Sequence, residues 1–182
     1  VGSLESLVPN LAVVFVGINP SIYSVEHGHN FARPGNKFWP SFSRSRLSAS
    51  ARAGLGVDSL GVEHDRQLLR YGFGFTDVVG RPTAKAAEVR PREFASGVAT
   101  LLRKLRAFEP RFACFHGVTG YRHVRDALVA DSAPIELGLQ PLQVGGTRVF
   151  LAPNPSGANA HYSREDQVRW YDALALLVAG SS

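Results

Sequence analysis

The sequence predicts a three-layer α/β/α fold around a mostly parallel central sheet, and two observations predict it. Apolar runs of strand length recur at Leu11 to Val16, Phe112 to His116 and Val149 to Ala152, near-continuous as in strands buried on both faces. Between and after them lie segments with apolar residues at three- and four-residue spacing, so helices alternate with strands, as crossover-connected parallel sheets require.

Taken in order, Leu11 to Val16 ends at Gly17, and Tyr71 to Thr76 is a weaker strand because Gly72 and Gly74 interrupt it. Glu93 to Phe108 reads as a helix with Phe94, Val98, Leu101, Leu102 and Leu105 on one side. Pro91 suits its first turn and Pro110 ends it. Further helices are expected over Tyr121 to Ala130 and Arg164 to Val178, the latter burying Val168, Tyr171, Leu174 and either Leu176 or Leu177. Ser41 to Leu60, rich in Ser, Ala, Arg and Gly, carries the weakest pattern.

With 182 residues, 45 % of them apolar, the chain is expected to form one domain over 1–182 with a core that needs no staples. The only cysteine, Cys114, excludes an intramolecular disulfide and any four-cysteine zinc or iron–sulfur site. A reducing cytoplasm is the expected compartment; no apolar stretch approaches the roughly 20 residues of a membrane helix, and the start lacks a secretory pattern. The chain has no methionine, even at position 1, so trimming of its natural start is expected. A net charge of +5 favours a polyanionic partner. Arg103, Lys104 and Arg106 read as a solvated helix face.

One phrase occurs twice, as Asn19-Pro20-Ser21 and Asn154-Pro155-Ser156-Gly157, each directly after an apolar run. Asn-Pro-Ser stops a strand and turns an amide and a hydroxyl outward, at the strand ends where open α/β sheets bind ligands. Other chemistries are poorly supported. There is no Gly-x-Ser-x-Gly elbow and no Walker-type phosphate loop, and Gly54-x-Gly56 does not continue into a dinucleotide fingerprint. His27 and His29 have only Glu26 beside them and read as surface histidines, so no metal site is expected.

Gly17-Ile18-Asn19-Pro20, Phe31-Ala32-x-Pro34-x-Asn36-x-Phe38-Trp39, Gly74-Phe75-Thr76, Arg81-Pro82-Thr83 and Asn154-Pro155-Ser156-Gly157 together resemble the uracil-DNA glycosylase superfamily. The similarity is to its mismatch-specific branch, which includes the bacterial mismatch-specific uracil-DNA glycosylases and thymine-DNA glycosylase. The resemblance implies a uracil-DNA glycosylase-like fold and a cofactor-free, monomeric, monofunctional enzyme. Such an enzyme hydrolyses the N-glycosidic bond of uracil in mismatched double-stranded DNA and leaves an abasic site, with thymine, ethenocytosine and single-stranded DNA as further substrates. No membrane partner is expected.

By the same resemblance Asn19 positions the attacking water, Phe31 stacks on the extruded base, and Gly17, Ile18 and Asn36 complete the base site. DNA contacts are expected from Lys37, Thr76 and Arg81 and from the second loop, Asn154, Ser156, Gly157, Ala158, Asn159, His161 and Tyr162; Thr83, Lys85 and Arg33 are further candidates near phosphate. An amide orients water but cannot take its proton, so Asp77, after Gly74-Phe75-Thr76, is a departure of interest: a carboxylate that assists catalysis, a turn residue, or a partner for Arg81. The second loop departs too. Bacterial relatives place Leu-Ser-Arg after Asn-Pro-Ser-Gly, where this chain has Ala158-Asn159-Ala160, which moves the wedge to His161 or Tyr162 or weakens it. His116 receives no role. A lesion-binding module without catalysis and a hydrolase of free nucleosides are the rival readings.

Overall fold

The computed structural model describes residues 4–181. Its sheet has five strands, β1 (Val13–Gly17), β2 (Phe73–Asp77), β3 (Phe112–His116), β4 (Gly138–Val144) and β5 (Thr147–Ala152), in the order β2-β1-β3-β5-β4. The pairs β1–β2, β1–β3 and β3–β5 are parallel, and β4 runs antiparallel to β5 at one edge. The α/β class and the mostly parallel sheet expected from the apolar runs are thus present.

Alternation along β1 divides the core. Val13 and Phe15 face a layer with Phe38, Phe42, Tyr171 and Leu174, whereas Val14 and Val16 face Val98, Leu101, Leu105, Tyr121 and Val124. The first layer holds helices α2 (Phe38–Arg44), α3 (Ala49–Leu55) and α6 (Arg164–Gly180); the second holds α4 (Pro91–Phe108) and α5 (Val118–Leu128). Helix α1 (Ile22–His27) follows β1 and is capped by Ser21, whose hydroxyl accepts from the Ser24 N–H. On α6, Leu177 packs against the core and Leu176 is 66 % exposed, which decides between the two.

The sequence reading and the structure differ in three places. Tyr71 closes a 3-10 stretch, and the second strand runs on to Asp77, so that carboxylate stands at a strand end. The weak segment 41–60 folds as short helices whose buried serines bond locally: Ser45 and Ser48 donate to the carbonyls of Phe42 and Ser43, and the Ser43 hydroxyl receives the Leu60 N–H. Strand β4 has no counterpart among the apolar runs of the sequence. Its side chains alternate between exposed and half-buried and Pro141 interrupts it, both properties of an edge strand, and the pairing register shifts between Leu139 and Gln143.

The chain passes from β2 on one side of β1 to β3 on the other. The C-terminal ends of β1 and β3 therefore flank a topological switch point, where the outgoing loops part and leave a crevice.

Candidate active site

A cleft of about 400 Å³ opens at that point, and all four parallel strands supply its walls: Gly17 at the end of β1 with Ile18 and Asn19 after it, Asp77 from β2, His116 from β3 and Asn154 after β5. Phe31, Asn36, Ser156 and Ala158 also line it. Most of the residues singled out in the sequence are brought together here.

Asn19 is held in one orientation. Its Nδ2 donates to the Arg81 carbonyl at 2.9 Å and to Thr83 Oγ1 at 2.8 Å, while the Thr83 hydroxyl donates to the Lys85 carbonyl at 2.8 Å. Both amide protons are used, and Oδ1, with no donor among the described residues, is left to accept a hydrogen bond in the cleft. The clamp rests on a zipped pair of loops: Ile22 N–H donates to the Thr83 carbonyl and Thr83 N–H to the Pro20 carbonyl. Thr83 is buried, 3 % exposed, so it acts here as an anchor for Asn19.

Asp77 pairs across the sheet with Gly17, and a Cβ on Gly17 would lie 2.4 Å from Asp77 Oδ1. A side chain at position 17 would push the carboxylate from its place over β1. No described residue donates a hydrogen bond to it, Arg81 included, because the Arg81 guanidinium is held by Glu93 at 2.6 and 2.9 Å and by the Glu88 carbonyl. That clasp holds the Glu93 carboxyl down at about 2. Burial, reinforced by the charge of Glu5 and opposed by Lys104, pushes Asp77 from 3.8 up to about 7. A carboxylate poised near neutral pH is suited to taking a proton from water.

Phe31 has the strained backbone of a left-handed residue, φ 53°. The strain is locked in from below: buried Asp65 accepts the Asn30 N–H at 3.0 Å, and the Trp39 indole donates to the Asn30 carbonyl at 2.8 Å. One face of the Phe31 ring stacks on Phe38, with centroids 4.4 Å apart and planes 20° from parallel. Asp65 carried no signal in the sequence, since its role depends on a contact 35 residues away.

The second Asn-Pro-Ser loop uses its asparagine in the opposite sense. Asn154 Oδ1 accepts the Ser156 N–H at 3.0 Å, which leaves the Nδ2 protons without a partner among the described residues. Asn159 Nδ2 ties the loop back to the Asn154 carbonyl, and Ser156 Oγ accepts the Ala158 N–H. Gly157 and Ala158 are exposed at the rim with His161, while Tyr162 is half-buried. Three residues proposed from sequence to meet DNA have protein partners: the Thr76 hydroxyl is buried and donates to Glu5 at 2.6 Å, the Lys37 ammonium donates to carbonyls of the second loop, and the Arg81 guanidinium is held by Glu93 and the Glu88 carbonyl.

His116, without a role in the sequence, sits beside Phe31 at 5.3 Å with the rings nearly perpendicular. Its Nε2 meets the Tyr171 hydroxyl at 2.8 Å, and Gln167 Nε2 donates to that hydroxyl and to the Pro153 carbonyl. Burial holds the imidazole at about 3, so it is neutral at physiological pH. Among the described residues no group of three or more His, Cys, Asp and Glu could hold a metal ion, and His29 instead contacts Asp65 at 3.2 Å. No helix of the described residues is long and apolar enough to cross a membrane.

Amides fixed in opposite senses, a carboxylate pushed up toward pH 7 and a strained aromatic ring thus meet in one cleft at the strand ends. Residues 5–175 match the uracil DNA glycosylase superfamily, and the chain belongs to that superfamily. Its members are DNA glycosylases, hydrolases of base excision repair, and DNA is the partner on which they act.

Proposed function

We propose that the protein removes uracil from mismatched DNA as a monofunctional glycosylase of the mismatch-specific branch, with Asn19 orienting the attacking water and Asp77 accepting its proton. The observation that carries this reading is the Asn19 carbonyl oxygen, left open by the Arg81 and Thr83 clamp in the same cleft as an unclaimed Asp77 carboxylate. Cleavage develops positive charge on the deoxyribose and negative charge on the departing base. An ionised Asp77 serves both needs at the sugar, as proton acceptor and as nearby anion.

Phe31 would offer the base the ring face that Phe38 does not cover. Stacking of this kind is worth roughly 1–3 kcal/mol, against a flipping cost of a few kcal/mol that is least at a mismatch. The free Asn154 Nδ2 supplies a donor for the base or the adjoining backbone. No lysine is needed, so the product is an intact strand with an abasic site. The test is single-turnover base release from duplexes carrying uracil opposite guanine, uracil opposite adenine and thymine opposite guanine, with an Asn19→Ala, Asp77→Asn double variant as control. Release of no base by the wild type, with duplex binding intact, would leave a lesion-binding module. Release unaffected by excess undamaged duplex would favour a nucleoside hydrolase.

A further inference from the structure

We infer that Lys37 is a positioning residue that fastens the second Asn-Pro-Ser loop to the stacking loop, so that the residues entering the duplex and the ring receiving the base form one unit. The inference rests on the glycosylase reading above. A lysine in a protein of DNA is ordinarily assigned to phosphate. Here the ammonium is turned inward and donates to the carbonyls of Asn159 and Tyr162, both within the segment expected to enter the helix. Its side chain is half-buried, and no carboxylate forms an ion pair with it among the described residues.

Two further contacts join the same two loops, and a third ties the stacking loop to the ring beneath Phe31. The Lys37 N–H donates to the Pro155 carbonyl at 2.8 Å. Gly157 lies flat on Gly35, where a Cβ would sit 2.9 Å from the Gly35 carbonyl oxygen. Asn36 Oδ1 accepts the Phe38 N–H at 2.9 Å, and Phe38 carries the ring on which Phe31 stacks. The path from the base-stacking ring to Asn159 and Tyr162 therefore runs through packed side chains and hydrogen bonds with Lys37 at the joint. Because the loop has only alanine at its tip, holding its backbone in place matters more than it would with a bulky wedge.

The physical consequence separates this role from a phosphate contact. A lysine on phosphate releases a counterion, and its loss lowers the slope of log affinity against log salt by about 0.9 and weakens all duplexes alike. A lysine that braces a loop leaves that slope in place and acts where the loop is needed, on paired DNA. The experiment measures salt-dependent binding to undamaged duplex, and single-turnover release of uracil from a guanine mismatch and from a single strand, for wild type, Lys37→Met, Lys37→Arg and Gly157→Ala. Melting temperatures check that each variant is folded.

Lys37→Met is expected to keep the salt slope and to lose roughly tenfold in rate on duplex, as misplaced groups do, with a clearly smaller loss on single strand. Lys37→Arg keeps donors on the loop and should restore most of the duplex rate. Gly157→Ala, which pushes the loops apart from the other side, should give the same selective defect, and combining it with Lys37→Met should add little; it also carries the test should Lys37→Met fail to fold. A salt slope lowered by about one, with the duplex-to-single-strand ratio unchanged, would make Lys37 a phosphate ligand and overturn the inference. An unchanged ratio in both Lys37→Met and Gly157→Ala would overturn it as well while leaving the glycosylase reading intact. A wild type inactive on every uracil substrate would remove both.

Discussion

Replacing Asp77 by asparagine should abolish the pH dependence of base release. Burial pushes the carboxyl up to about 7 in the free protein, and in the proposed reaction its ionised form accepts the proton. The wild-type single-turnover rate should therefore climb with pH through that region and level off once Asp77 is charged. DNA phosphates oppose ionisation, so the inflection in the complex lies at or above about 7. A general base is worth about 10²–10⁴-fold, or roughly 3–5 kcal/mol. At pH 8 Asp77→Asn should accordingly lose at least about tenfold on uracil opposite guanine, with duplex affinity nearly unchanged. A variant that kept its rate, or kept the rising limb, would refute the assignment and leave catalysis to Asn19 alone.

The same substitution should report through stability with opposite sign. An acid whose pKa is raised from 3.8 to about 7 by folding contributes stability that is complete below 3.8 and lost as pH rises through about 7. Three units correspond to a ceiling of about 4 kcal/mol, reduced by whatever solvent the open cleft admits. His116 works against it: with a pKa lowered from 6.5 to about 3, its contribution is present above 6.5 and lost as pH falls toward 3. Between about 4 and 6.5 the two slopes nearly cancel in the wild type. Asp77→Asn leaves the histidine slope alone, so urea unfolding should show stability rising with pH by up to about 1.4 kcal/mol per unit in that window, and the variant should exceed the wild type at pH 8. A wild-type and a variant curve that run parallel from pH 4 to 8 would contradict the burial assigned to Asp77.

Asn19→Ala should slow base release at every pH, and Thr83→Val, which removes one anchor of the Asn19 amide, should slow it several-fold, in line with a hydrogen bond of about 1 kcal/mol; equal rates for Thr83→Val and wild type would show that the clamp is dispensable. Phe31→Ala should weaken the flipped complex by about 1–3 kcal/mol, with the defect shrinking on single-stranded uracil; a lowered melting temperature with normal activity in the folded fraction would instead mark a core residue. Ala158→Leu should raise activity on duplex more than on single strand by filling the space of the extruded nucleotide. If that ratio stays fixed while Tyr162→Ala collapses it, the wedge is Tyr162.

The parts of this molecule legible in the sequence are those set by local pattern. Strands β1, β3 and β5 are continuous apolar runs because both of their faces are covered, and α4 declares its buried side by spacing. The edge strand β4 escaped because half-exposed strands lose that contrast. At the site, residue types were readable and their partners were not. Arg81 next to Asp77 invites an ion pair, yet it lies against Glu93, presented by the first turn of α4. Thr83 reads as a phosphate contact in the sequence, whereas its hydroxyl accepts from the Asn19 amide.

The doubled Asn-Pro-Ser shows why motif and role separate. The tripeptide fixes a turn and delivers an amide, but an amide has an accepting and a donating half. The surroundings decide which half is spent: the Arg81 and Thr83 oxygens take the protons of Asn19 and leave its carbonyl, whereas the Ser156 N–H takes the carbonyl of Asn154 and leaves its protons. One sequence phrase thereby supplies an acceptor on one wall of the cleft and a donor on the other. Hydrolysis of a glycosidic bond asks for that pair, since the incoming water needs an acceptor and the departing base needs donors.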